Sequence, residues 1–142
     1  MRTDRARILV VEDDRGIATM LERGLRLAGH QVAIASGVAA ARTAWTAESF
    51  DLVLLDVMLS DGDVIELLAE RRATADGVPA VLLTAREEEE LRERADRAGA
   101  TAYLPKPFAW ADLLAIIEEV ASRDGSSQPS GSGSSRGAPT GR

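Results

Sequence analysis

Short apolar runs alternate with stretches of helical periodicity five times between Ile8 and Val120, and few folds can absorb that order. The first run, Ile8-Leu9-Val10-Val11, has no polar residue facing either side, as a parallel strand buried on both faces requires. From Asp14 onward Ile17, Leu21, Leu25 and Ala28 recur at helical spacing, and Gly29 supplies a natural stop. Val32–Ala35 gives a second strand, and Ser36 fits the N-cap of an Ala-rich helix reaching about Ala47. Leu52–Leu55 is the most apolar run, which predicts a central position in the sheet. After a loop, Ser60-Asp61-Gly62-Asp63, the apolar residues Ile65, Leu67 and Leu68 mark a helix to about Arg72. Val78–Leu83, with Pro79 near its start, reads as the fourth strand. A highly charged helix follows from Arg86 to Ala98, anchored by Leu91, Ala95 and Ala98 and ended by Gly99. Thr101–Leu104 is the fifth strand, and Trp110, Leu113, Leu114, Ile117 and Val120 trace the apolar stripe of a last helix. Strands that alternate with helices predict an α/β fold, a doubly wound five-stranded parallel sheet with helices on both faces.

In such a sheet the carboxyl ends of all strands share one edge, where sites form. The first run ends in Glu12-Asp13-Asp14, the third in Asp56, the fourth in Thr84 and the fifth near Lys106. Each of these has a plain structural reading of its own: an acidic helix start, a cap, a solvated lysine. Their convergence on one edge is what points to chemistry. Clustered carboxylates repel unless a cation neutralises them, and a hard divalent ion such as Mg2+ takes oxygen ligands of this kind. Phosphoryl transfer needs a nucleophile, neutralisation of the moving charge, and donors for the equatorial oxygens. Asp56, a metal with Lys106, and the Thr84 hydroxyl could supply these. Asp14 exceeds what such a pocket needs and is expected to cap the first helix.

The runs Ile8-Leu9-Val10-Val11-Glu12-Asp13-Asp14, Asp51-Leu52-Val53-Leu54-Leu55-Asp56-Val57-Met58-Leu59, Val81-Leu82-Leu83-Thr84-Ala85 and Tyr103-Leu104-Pro105-Lys106-Pro107-Phe108 resemble those of two-component response-regulator receiver domains, over about residues 5–122. The resemblance implies a flavodoxin-like sheet of order 2-1-3-4-5 and Mg2+ as the cofactor. It implies that Asp13 and Asp56 ligate the metal directly, that Glu12 acts through water, and that the Met58 carbonyl completes the protein ligands. Asp56 would be the phosphoryl acceptor, Thr84 and Lys106 would bind the phosphoryl oxygens, and Tyr103 would turn with Thr84 as the switch. A cis bond at Lys106-Pro107 is expected as well. The chain departs from many relatives at Ser60, where they have Pro, and at Val64, where they have Gly. If that Gly needs a positive φ, Val64 would be strained, so the loop is expected to take another path. Arg86 could reach the phosphoryl group, against the plainer reading of a solvated helix start.

The implied partners are a histidine kinase or histidine phosphotransfer protein upstream and a protein downstream, or a second copy in a phosphorylation-dependent homodimer. The output surface is expected to bear Glu88, Tyr103 and Trp110, within a fourth helix, fifth strand and fifth helix that change shape. Such a domain is not an enzyme with a separate substrate; it catalyses its own phosphoryl transfer and autodephosphorylation. Two competing readings are a receiver-like module that works without phosphorylation and a haloacid-dehalogenase-type phosphatase. The intact acid, Thr and Lys set argues against the first. The second expects an Asp two residues after the nucleophile, where this chain has Met58.

Charge limits the remaining options. The formal net charge is −6, and Asp124, Arg136 and Arg142 give residues 124–142 a net +1, leaving −7 on residues 1–123. Binding to a phosphate backbone by this chain is therefore not expected. Absence of cysteine excludes disulfides and thiolate chemistry. The single histidine, His30, reads as a plain surface residue. No apolar stretch has the length of a signal-peptide core or membrane span, so no membrane partner is expected and the chain reads as cytoplasmic. Residues 1–123 are taken as the receiver domain. Of the 19 residues in 124–142, 13 are Gly, Ser or Pro, a composition expected of a flexible tail or linker.

Overall fold

Each of the five apolar runs becomes a strand, and each amphipathic stretch a helix. The computed structural model describes residues 6–74, 77–84 and 89–126, with side chains up to Val120. The strands are β1 (Arg7–Val11), β2 (Gln31–Ala35), β3 (Leu52–Asp56), β4 (Ala80–Thr84) and β5 (Ala102–Pro105). The helices are α1 (Arg15–Leu27), α2 (Val38–Ala47), α3 (Val64–Ala73), α4 (Glu89–Ala98) and α5 (Trp110–Ser126). All pairings are parallel, in the order β2-β1-β3-β4-β5, so the most apolar run is central as expected. This is the flavodoxin-like, doubly wound arrangement.

The strand period of two divides the interior into two layers. Leu9, Val11, Val53, Leu55 and Leu82 meet Val38, Ala41 and Trp45 of α2, Leu67 and Leu68 of α3, and Ala95 and Ala98 of α4. On the other face Ile8, Val10, Leu52, Leu54, Val81 and Leu83 meet Leu21 and Leu25 of α1 and Leu113, Ile117 and Val120 of α5. β3 and β4 are buried at every position, which is why their sequences carry no alternation. Pro79 stands just before β4, with its carbonyl accepting the Val53 N–H at 2.9 Å.

The helix ends follow from particular residues. Asp14 caps α1 by accepting the Ile17 N–H at 2.9 Å, so the extra acid is accounted for structurally. Gly29 and Gly99 take φ of 103° and 98°, a backbone region that L side chains rarely adopt. Val64 is fully buried as the first residue of α3, so it carries no left-handed strain.

Two expectations need correction. Ser36 does not cap α2. Gly37 stands at that N-cap, and the carboxylate of Asp61, arriving from the β3–α3 loop, accepts from Val38 N–H at 2.8 Å and Ala39 N–H at 3.4 Å. His30 is buried rather than superficial, because the α1–β2 turn folds against the start of β1 and the His30 Nδ1 accepts the Ala6 N–H at 3.0 Å. As its place in the apolar stripe of the last helix leads one to expect, Trp110 packs in the α1–α5 layer over Gly24, where an added Cβ would meet the indole at 2.3 Å. α5 continues through Ser126, past residue 123. The expectations for Arg86, Glu88 and residues 127–142 lie outside the described residues.

Candidate functional site

Strand order brings β1 and β3 side by side, with β4 and β5 next in line, so their carboxyl ends form one edge. Glu12 directly follows β1, Asp56 ends β3, Thr84 ends β4 and Lys106 directly follows β5. Carboxylate oxygens of Glu12, Asp13 and Asp56 all lie within 4.8 Å of one another. Lys106 reaches between them, with Nζ 3.1 Å from Asp56 Oδ1 and 3.5 Å from Glu12 Oε1. The Lys106-Pro107 bond is cis, as expected.

Glu12 and Asp56 are each only 2% exposed, and burying two carboxylates without full compensation is costly. Local hydrogen bonds offset part of that cost. The Asp14 N–H donates to Glu12 Oε2 at 3.1 Å, and the Met58 N–H donates to Asp56 Oδ1 at 3.1 Å. Even so, burial pushes the Glu12 carboxyl up to about 7, with Asp56 adding to the rise and the Asp14 N–H and Lys106 opposing it. One ammonium among three carboxylates leaves the pocket net negative. The donor set is hard oxygen throughout, from two buried acids and one exposed acid, which fits a divalent ion of the Mg2+ type.

Thr84 is buried at the neighbouring strand end, in register with Pro105, and its carbonyl accepts the Lys106 N–H at 2.7 Å. Tyr103 sits within β5, in register with Leu82, and is engaged elsewhere. Its hydroxyl donates to Asp96 of α4, and the Arg92 guanidinium sits 4.6 Å from its ring centroid. The structure thus gathers Glu12, Asp13, Asp56 and Lys106 by direct proximity and Thr84 by register, and directs Tyr103 toward α4. Met58 contributes its N–H to Asp56 while its side chain is exposed.

The loop after Asp56 holds residues that sequence reasoning passed over. Ser60 donates to Asp13 Oδ2 from both its N–H and its hydroxyl, each at 3.2 Å. Asp61 caps α2 as described. Asp63 caps α3, accepting the Ile65 N–H at 2.8 Å, and also receives Arg94 of α4 at 2.6 Å. The Asp63 role had a sequence signal, an Asp three residues before Glu66 at the start of an apolar run. Ser60 and Asp61 had none, since their partners are remote in sequence.

With this geometry established, the chain can be set beside known proteins. The family model for the response regulator receiver domain matches residues 8–118. The response regulator MprA of Mycolicibacterium vanbaalenii is 39% identical over 117 residues, which are 82% of this chain and 51% of that protein. The transcriptional regulatory protein PrrA of Mycobacterium tuberculosis is 38% identical over 126 residues, 89% of this chain and 54% of that one. The chain therefore spans about half the length of the curated relatives it matches. Among solved structures, a CheY-like response regulator receiver domain protein from Methanospirillum hungatei superposes with a TM-score of 0.81 at 31% identity, covering 84% of this chain and 95% of that one. The non-phosphorylated HemR receiver domain from Leptospira biflexa gives 0.76 at 34% identity, covering 82% and 94%.

Proposed function

The chain belongs to the response regulator receiver domain family, and from that premise we propose that Asp56 accepts a phosphoryl group from the phosphohistidine of a histidine kinase or histidine phosphotransfer protein. The observation that carries this reading is the pocket itself: Asp56 ends the central strand, buried, within reach of Lys106 and of two further carboxylates. A carboxylate oxygen of Asp56 attacks phosphorus as the phosphorus–nitrogen bond of the donor breaks. Lys106 faces the negative charge that would gather on the transferred group, and Thr84 stands at the adjacent strand end to donate to one of its oxygens. Asp13, Asp56 and the Met58 carbonyl would hold Mg2+, with Glu12 acting through water. When bound, the ion supplies charge neutralisation that a single lysine cannot provide. Hydrolysis of the resulting acyl phosphate at the same site would return the domain to its resting form.

The output of this domain is proposed to be a protein partner or a second copy of the chain. A net −7 on residues 1–123 repels an extended phosphate backbone, so contact with nucleic acid is assigned to no part of this domain. The face of α4, β5 and α5, bearing Tyr103 and Trp110, is the responsive surface, with Thr84 and Tyr103 as its switch. Among the described residues no helix is long and apolar enough to cross a membrane; cytoplasmic residence is proposed on the family's usual setting.

Incubation with acetyl phosphate and Mg2+ should add one phosphoryl group, labile to hydroxylamine. Equal labelling of Asp56→Asn would defeat the assignment. For the output, sedimentation with and without beryllofluoride should show mimic-dependent association, and Tyr103→Ala should abolish that dependence while phosphoryl uptake persists. Mimic-independent association together with specific DNA binding by this chain would overturn the output reading.

A further inference from the structure

We propose that Ser60 is a positioning residue for the acidic pocket, holding Asp13 by one carboxylate oxygen so that the other is presented to a divalent cation. The inference rests on the reading of Asp13 as a metal ligand and goes beyond it. Both Ser60 donors converge on Asp13 Oδ2, and no described residue donates to Oδ1. Asp13 is exposed, unlike Glu12 and Asp56, so packing alone does not fix its carboxylate plane. A freely turning carboxylate must be ordered at the moment a cation binds, at an entropic cost. A carboxylate already held by two hydrogen bonds on one oxygen avoids much of that cost, the usual work of partners behind a metal ligand.

The chain's chemistry at this position explains why the residue matters. Proline at this position would have neither N–H nor hydroxyl and could make neither bond. Serine makes both. The β3–α3 loop is in turn fixed at both sides of this contact. Met58 N–H is bound to Asp56 two residues earlier, and Asp61 is bound to the start of α2 one residue later. Ser60 therefore meets Asp13 from a loop that is itself anchored rather than from a loose tip.

The test is Mn2+ binding to the full chain, followed by electron paramagnetic resonance and checked by competition with Mg2+. Ser60→Pro removes both donors and should weaken Mn2+ about tenfold, the lower end for loss of a ligand's supporting partner, whereas Ser60→Ala, keeping the N–H, should lose about threefold. Ser60→Thr keeps both donors and should bind as wild type. Circular dichroism and the melting temperature in EDTA should be unchanged by Ala and Thr, and if Pro disturbs the fold the Ala and Thr pair decides the question. Equal or tighter binding by Ser60→Ala relative to Ser60→Thr would overturn the proposal, because Ser60 would then be neutral or a competitor for Asp13. A wild-type chain that binds no Mn2+ would remove the metal reading itself, a result distinguishable from equal binding by all variants.

Discussion

Tyr103 is held by α4 from two directions, through its hydroxyl on Asp96 and its ring face on Arg92. Burial, followed by the Asp96 contact, pushes the phenol up to about 12, while Arg92 pulls the other way. The folded state thus keeps the proton more tightly than an unfolded chain, whose phenol sits near 10.0. That contribution to stability is fully present below pH 10 and is lost as pH rises toward 12. Tyr103 is the only tyrosine, so tyrosinate absorbance reads it alone. The expected result is ionisation well above the ordinary range in wild type and closer to it in Asp96→Asn. Wild type and variant titrating together near the ordinary value would show that α4 does not hold the ring. Single residues were legible in the sequence when their role followed from strand-end position, as with Glu12, Asp56, Thr84 and Lys106. His30 and Ser60 were not, because the role of each depends on which remote group the fold brings near: the Ala6 N–H for one, the Asp13 carboxylate for the other.

The capping of α2 shows the same limit at the scale of an element. Ser36 has the chemistry of a cap, yet the helix begins after Gly37, and the capping carboxylate comes from Asp61 in another loop. Gly37 has φ of −174°, extended backbone that any residue adopts, so its conformation does not require glycine. Space does: a Cβ there would stand 2.7 Å from an Asp61 carboxylate oxygen. Gly37→Ala should therefore evict the cap and lower the melting temperature by a few degrees, despite alanine's lower chain entropy when unfolded. Asp61→Ala should do the same. Because both act through one contact, the double variant should lose about as much as Asp61→Ala alone, not the sum. Additive losses in thermal unfolding would show the two positions to be independent. The strands were easier to foresee than this helix end, since buried parallel strands announce themselves as unbroken apolar runs, as Leu52–Leu55 does. A cap supplied across 23 positions leaves no local pattern.

For the molecule as a whole, the order β2-β1-β3-β4-β5 was legible once the alternation was joined to the family resemblance, but the ties of the β3–α3 loop were not. This short segment bonds to Asp13 ahead of α1 through Ser60, to α2 through Asp61 and to α4 through Asp63 and Arg94. It joins helices from both layers beside the proposed phosphoryl acceptor, so its anchorage should bear on the stability of the whole domain. Two of the ties depend on ionised carboxylates. Val38 and Ala39 N–H groups hold Asp61 below the usual 3.8. Burial pushes Asp63 up, but Arg94 and the Ile65 and Glu66 N–H groups outweigh it, so this carboxyl too lies below 3.8. A depressed folded value means that the unfolded chain takes up the proton first as pH falls. The stabilisation is thus present above about pH 4, and it declines on acidification through the lower folded values. Urea midpoints measured from pH 6 downward should fall through this window in wild type. Asp63→Asn removes one titrating group, so its midpoint should be lower at pH 6 and should depend less steeply on pH. Because the Asp63–Arg94 pair is partly exposed, 1 M NaCl should narrow the gap between the two proteins at pH 6. Parallel pH profiles for wild type and Asp63→Asn would show that this carboxylate does not couple α4 to the loop.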